Sequence, residues 1–184
     1  MARELSTERL LLRGLEPRDA PALFSIFSDP QTVAYTEWEP FQTIASAEWL
    51  IHWANTAESQ EPQTIFAWAI QWHDAADGEL LGIVTLTVRD PEQREASLGY
   101  MVNRALWGRG IAPEAVSAVI ASAFHDLQLH RITAGCRPEN TASARVMEKV
   151  GMCSEGHLVK NRWEKGRWCD TLVFALVEEE VLSR

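Results

Sequence analysis

The sequence predicts an α+β fold, a mixed and mostly antiparallel sheet of about seven strands flanked by about four helices. Three observations carry this. The spacing of apolar residues switches repeatedly between two and 3.6, so strands and helices alternate along one chain and pack on a common core. Three strand-like segments follow one another on short connections between residues 65 and 102, which makes them most simply antiparallel. The passage from Ala96 to Cys136 then runs strand, long helix, strand. That is long enough for a crossover, so its two strands are parallel.

Taken in order, Leu5–Arg13 reads as one strand. Arg18–Ser28 reads as a helix with Ala20, Leu23, Phe24 and Phe27 on one face and Pro30 just past its end. Ala45–Glu58 offers a second helical stripe in Leu50, Trp53, Ala54 and Ala57. Ile65–Trp72 and Leu80–Arg89 read as strands joined by a turn around Asp77-Gly78, and Pro91–Arg94 turns the chain into a strand at Ala96–Val102. Pro113–Leu127 carries Val116, Val119, Ile120, Ala123 and Leu127 at helical spacing. Arg131–Cys136 is a short strand. Asn140–Val150 is a helix with Asn140 as N-cap and Gly151 as its stop. Cys153–Arg162 and Trp168–Val177 form a closing hairpin around Lys165-Gly166.

Composition bounds the function. With 184 residues and no internal repeat or linker-like stretch, the chain reads as one domain over 1–184. Its 46% hydrophobic and 23% charged residues are those of an ordinary globular protein. Eight Trp residues supply flat surfaces suited to a core or to a small-molecule pocket. The net charge of −9 and the scattered Arg residues argue against a nucleic-acid partner, which needs a cationic footprint. Cys136, Cys153 and Cys169 are odd in number and lack CxxC spacing, so neither a disulfide framework nor a metal site is expected. The chain has no signal-peptide pattern and no run near the ~18 apolar residues of a membrane span. The expectation is a cytoplasmic protein without a membrane partner.

The segment with most chemistry is Trp107-Gly108-Arg109-Gly110-Ile111-Ala112-Pro113-Glu114. Two glycines lead from a strand directly into a helix with Pro113 in its first turn, where the amide that proline lacks has no helical acceptor anyway. The free amides and the helix dipole there suit a phosphate. Gly108 and Gly110 let backbone approach an anion, and Arg109 adds positive charge. A tight structural turn with no ligand fits the same spacing. A dinucleotide fingerprint does not, because Pro113 replaces its third glycine, and the P-loop's GK followed by Ser or Thr is missing.

At this point the sequence resembles the GNAT acyltransferases, and more narrowly the RimJ/RimL-type N-acetyltransferases. The matching pieces are Thr7–Arg13, Leu98-Gly99-Tyr100, the loop from Trp107 to Ala115, the Asn140-Thr141-Ala142-Ser143 helix start continuing to Gly151, Glu155-Gly156-His157 and Gly166–Asp170. They fall in order over nearly the whole chain. The resemblance implies a GNAT-like sheet and direct acetyl transfer from acetyl-CoA, a co-substrate, to an amine, with no metal. It implies that the amides of Trp107, Gly108, Arg109, Gly110, Ile111 and Ala112 hold the pyrophosphate. The pantetheine arm would lie along Tyr100-Met101-Val102 like an added strand, and Asn140 and Ser143 would face the cofactor.

Thioester aminolysis needs a neutral amine, an oxyanion donor and a proton for the departing thiolate. A backbone N–H near Met101 is the candidate oxyanion donor, and the Ser143 hydroxyl is the candidate acid. Ser143 and Asn140 also read as ordinary helix-start residues satisfying backbone amides. Two departures from the family pattern stand out. Trp107 cannot give the polar contact of the Gln or Arg common at its position, and Ser97 stands where many members carry a Glu. The general base is therefore unassigned. Glu37, Glu39, Glu164 and a water relay are the candidates, each carboxylate reading first as a solvated surface group, the default for Glu.

By analogy, Tyr35–Phe41 borders the acceptor, though Trp38 and Phe41 read first as ordinary packing, and Trp163 and Trp168 wall the same cleft or form a dimer contact. The resemblance leaves a protein N-terminus, a polyamine, an amino acid or another small amine as acceptor, with a homodimer as the usual assembly. The competing reading is a GNAT-fold module that holds acyl-CoA as a sensor or scaffold without turnover. A dinucleotide oxidoreductase is disfavoured by Pro113 and by the antiparallel start of the sheet.

Overall fold

A computed structural model describes residues 4–74 and 78–179. One eight-stranded sheet runs through it in the order β1-β2-β3-β4-β5-β6-β8-β7. The strands are β1 (Leu5–Ser6), β2 (Leu10–Arg13), β3 (Ile65–Trp72), β4 (Gly82–Asp90), β5 (Glu95–Val102), β6 (Arg131–Cys136), β7 (Cys153–Glu164) and β8 (Arg167–Val177). The helices are α1 (Ala20–Ser28), α2 (Ile44–Glu58), α3 (Ile111–His125) and α4 (Thr141–Lys149). Every pairing is antiparallel except β5 with β6, as the crossover length requires. No helix among the described residues is long and apolar enough to cross a membrane.

Alternation along the strands sorts the core onto two faces. On β3, Trp68 and Ile70 join α3, where Ala115, Val116, Val119 and Ala123 are fully buried. Ala67 and Ala69 point the other way, onto Leu23, Phe27, Leu50 and Ala54 of α1 and α2. The same division on β5 sends Leu98 and Val102 toward α3 and Met101 toward α1 and α2.

Several boundaries shift by one or two residues from the sequence expectation, and three of the differences bear on the site. The first strand breaks in two because the Thr7 hydroxyl accepts the Leu10 amide at 2.9 Å and the Thr7 amide bonds the Leu10 carbonyl. That turn folds Leu5 back opposite Leu12 and raises the strand count to eight. Helix α3 starts at Ile111, two residues before Pro113, because Gly110 caps it in a left-handed conformation with φ 77°. Strand β4 begins at Gly82 rather than Leu80, and a Cβ added at Gly82 would run into the Met101 carbonyl oxygen on β5. Of the expected Asp77-Gly78 turn, Asp77 lies outside the described residues.

The feature that positions the site is a split in the sheet. The β5–β6 ladder holds only between Glu95–Ser97 and Arg131–Thr133. Beyond it β5 continues to Val102 paired with β4, and β6 to Cys136 paired with β8. The sheet therefore opens at the carboxyl ends of its two parallel strands, where open α/β sheets take ligands.

Candidate active site

The split opens into a cleft of about 660 Å³. Tyr100 and Met101 border it on β5, Cys136 on β6, and Asn140 and Ser143 on α4. Val102 and the 107–112 segment do not line this cleft; they end β5 and form the loop into α3.

In that loop Gly108 and Gly110 have φ of 78° and 77°, a region that L side chains enter at a cost. The first loop amide to join the helical ladder is that of Glu114, which bonds the Gly110 carbonyl. Among the described residues, the amides of Gly108, Gly110, Ile111 and Ala112 have no acceptor, so four N–H groups stand free at the positive end of a 15-residue helix. The half-exposed Trp107 donates its indole N–H to the Val102 carbonyl at 2.9 Å, which pins the loop to the end of β5.

The loop is braced from the N-terminal hairpin. The Glu114 carboxylate accepts from the Thr7 hydroxyl at 2.6 Å, the Arg9 amide at 3.1 Å and Arg9 Nε at 2.7 Å. Arg9 also donates to the Arg109 carbonyl at 3.2 Å. Partial burial pushes the Glu114 carboxyl up, but these hydrogen bonds outweigh it and hold it below the usual carboxylate range.

Tyr100 and Ser143 meet across the split, Oη to Oγ at 2.7 Å, and Tyr100 Oη also donates to the Ser143 carbonyl at 3.2 Å. Burial pushes the Tyr100 hydroxyl up to about 12, partly offset by the Ser143 hydrogen bond, so it stays protonated at neutral pH. The Cys136 thiol, within hydrogen-bond reach of Ser143, is also raised by burial. The pair can deliver a proton to an anion formed in the split. Asn140 caps α4, its Oδ1 accepting the Ser143 amide at 3.1 Å. Among the described residues, no group of three His, Cys, Asp or Glu is placed to hold a metal ion.

Of the candidate bases, Glu37 lines the cleft and Glu39 does not. Glu164 lines it but accepts two hydrogen bonds from the buried Arg137, at 3.0 and 2.7 Å, which ties the carboxylate to a guanidinium. Ser97 is engaged by Arg89, whose Nε donates to its hydroxyl at 2.9 Å. Trp38 packs in the aromatic cluster with Phe27 and Phe41. Trp163 and Trp168 lie against each other, ring centroids 5.5 Å apart, exposed and outside the cleft lining. The hairpin tip carrying Glu164 also sends Lys165 Nζ to the Val33 carbonyl at 2.6 Å, joining it to the α1–α2 connection. Sequence reasoning missed the Tyr100 hydroxyl and Arg89; a polar side chain on an otherwise apolar strand face was the available signal for the first.

The sequence and the fold are shared with known proteins. The family profile of the acetyltransferase (GNAT) domain matches residues 9–153. The chain belongs to the GNAT acetyltransferase family. It is 34% identical over 176 residues to the uncharacterised N-acetyltransferase p20 of Bacillus licheniformis, covering 96% of this chain and 97% of that one. Its fold matches a GNAT-family acetyltransferase of Bacillus anthracis at a TM-score of 0.83 and 28% identity, over 96% and 99% of the two chains. It matches Mycobacterium smegmatis RimJ, solved with CoA-disulfide, at a TM-score of 0.79 and 31% identity, over 94% and 83%. This GNAT protein is thus an acyltransferase of the N-acetyltransferase type, with RimJ/RimL-type enzymes among its neighbours.

Proposed function

We propose that residues 1–184 act as one acetyltransferase domain that moves an acetyl group from acetyl-CoA directly to a primary amine, on a protein N-terminus or a small molecule. The observation that carries this is the open edge of β5 beside four acceptor-less amides at one end of the split. An extended amide-containing arm fits a strand edge, and a pyrophosphate fits a cluster of free amides at a helix N-terminus. The residues present therefore suit CoA.

In this reading the free amides of Gly108, Gly110, Ile111 and Ala112 hold the pyrophosphate and Arg109 adds charge, while the amides of Trp107 and Arg109, expected to join them, are bonded to the carbonyls of Arg104 and Leu106. Backbone of Tyr100-Met101-Val102 pairs with the pantetheine arm, and Asn140 and Ser143 face it from α4. The acceptor attacks as a neutral amine, and the oxyanion that forms on the thioester carbonyl takes the backbone N–H near Met101. Collapse breaks the C–S bond, the thiolate takes the proton of the Ser143 hydroxyl, Tyr100 passes its own proton to Ser143 through their 2.7 Å hydrogen bond, and solvent reprotonates the tyrosinate. With Glu164 tied to Arg137, the ammonium proton leaves through water or Glu37.

The test is thermal shift with acetyl-CoA, CoA, NAD and ATP, followed by thiol release with a panel of amines. A ligand at 100 times its Kd adds about 2.7 kcal/mol. Stabilisation by acetyl-CoA and CoA with amine-dependent thiol release is the expected result. CoA binding without turnover of any amine supports the acyl-CoA sensor instead, and no CoA response in folded protein overturns both.

A further inference from the structure

The acceptor side of the cleft has a charge pattern of its own. Where the β5–β6 ladder ends, Thr87, Ser97 and Thr133 stand opposite one another on three adjacent strands and so point to the same face, toward α1 and α2. Two residues along β4 on that face is Arg89, whose Nε donates to the Ser97 hydroxyl. Among the described residues no carboxylate lies within ion-pair distance of Arg89 and nothing accepts from its two terminal nitrogens. The Thr133 hydroxyl is committed to the Ala96 carbonyl, whereas that of Thr87 has no partner among the described residues.

The rest of the lining points the same way. Among the described residues its cations are Arg89, Arg137 and Arg162 and its carboxylates are Glu37 and Glu164, of which Glu164 is neutralised by Arg137 and also lies 3.9 Å from Arg162. A chain of net charge −9 thus places an excess of positive charge in this cleft. A polyamine needs several carboxylates there, and they are missing from the lining. A guanidinium fork with two free nitrogens over a floor of hydroxyls matches a carboxylate.

We infer that Arg89, held by Ser97 and flanked by Thr87, is an anion subsite for the acceptor, which carries a carboxylate close to its amine. The inference rests on the acetyltransferase reading and adds the substrate class: an amino acid or an acidic amino terminus, not a polycation. Tyr35, Trp38 and Trp53 line the same cleft and give an apolar wall for the remainder of such an acceptor.

Paired acceptors test this. Thiol release is measured with free amino acids against their α-carboxamides, with peptides beginning Asp against the same peptides beginning Asn, and with spermidine. The expected result is a kcat/KM for the carboxylate member roughly ten- to a hundredfold above its neutral twin in one of the two pairs, the scale of one hydrogen-bonded charge. The pair that shows it identifies a free amino acid or a peptide terminus. Arg89→Gln brings the ratio toward one, and Ser97→Ala, which removes only the orienting hydroxyl, lowers it less. The CoA-induced rise in Tm reports that each variant is folded. A wild-type ratio near one in both pairs, a ratio unchanged by Arg89→Gln, or spermidine outpacing every carboxylate acceptor overturns the inference. CoA binding without turnover of any acceptor overturns the acetyltransferase reading itself, a distinguishable failure.

Discussion

Replacing Gly108 by Ala separates what the loop does for the ligand from what it does for the fold. Gly108 has φ 78° and Gly166, at the β7–β8 turn, has φ 75°; an added Cβ at either meets nothing within 4 Å. The two glycines therefore carry the same backbone penalty and no packing penalty. Alanine in the left-handed region costs roughly 1–2 kcal/mol. For a chain of this size that lowers Tm by roughly 2–8 °C, and the same drop is expected in both variants. Only Gly108 lies where amides without acceptors gather at the N-terminus of a long helix, which an anion must approach. Losing one charge-assisted hydrogen bond there weakens binding by about ten- to a hundredfold. Calorimetric titration with CoA alongside melting curves gives both quantities. Gly108→Ala with weakened CoA affinity beside Gly166→Ala with wild-type affinity is the expected result. Equal affinities in all three proteins would refute the assignment of this loop to the pyrophosphate.

Three further outcomes follow from the geometry. Tyr100→Phe lowers kcat by roughly a hundredfold or less with a smaller change in the KM for acetyl-CoA, and with Tyr100 at about 12 the wild-type kcat profile shows no descending limb at the ordinary tyrosine value; a kcat unchanged in steady-state assays removes Tyr100 from the proton path. Glu114 has its folded value depressed by Thr7 and Arg9, so its contribution is complete above the unfolded value near 4.3 and is lost as pH falls through the lower folded value. Wild-type Tm, followed by circular dichroism, accordingly falls more steeply below pH 5 than that of Glu114→Gln; parallel curves contradict the brace. Asp19→Ala strands the buried Arg13 guanidinium, which donates to both Asp19 oxygens at 2.8 Å. The cost is about 3–5 kcal/mol, seen as a lower urea midpoint with CoA affinity retained.

What was legible in the sequence is what local pattern determines. The period of apolar residues marks every helix and all but one of the strands, and Gly151 stops α4 where expected, with φ 92°. The loop at 107–112 is legible because two left-handed positions require glycine whatever the rest of the fold does. Long-range register is what the sequence conceals. Nothing local says that pairing ends at Ser97 and Thr133, yet that ending makes the cleft. Tyr100 and Ser143 are 43 residues apart, and Arg137 and Glu164 are 27 apart, so the first pair exists only once α4 is placed beside β5 and the second only once β7 and β8 are placed beside β6. Thr7, Arg9 and Glu114 were all visible as parts of motifs, but their joint role as a brace for the loop needed the N-terminal hairpin folded against α3. The single first strand failed for a local reason, the hydroxyl of Thr7 competing for a ladder amide.

The central claim is that acetyl-CoA lies in the split between β5 and β6 with its pyrophosphate on the start of α3. Amide hydrogen exchange with and without acetyl-CoA addresses it directly. The account predicts added protection in two segments, Leu98–Val102 along the open edge and Gly108–Ala112 in the loop. Binding with unchanged exchange in both segments, or with protection confined elsewhere in the chain, would contradict it.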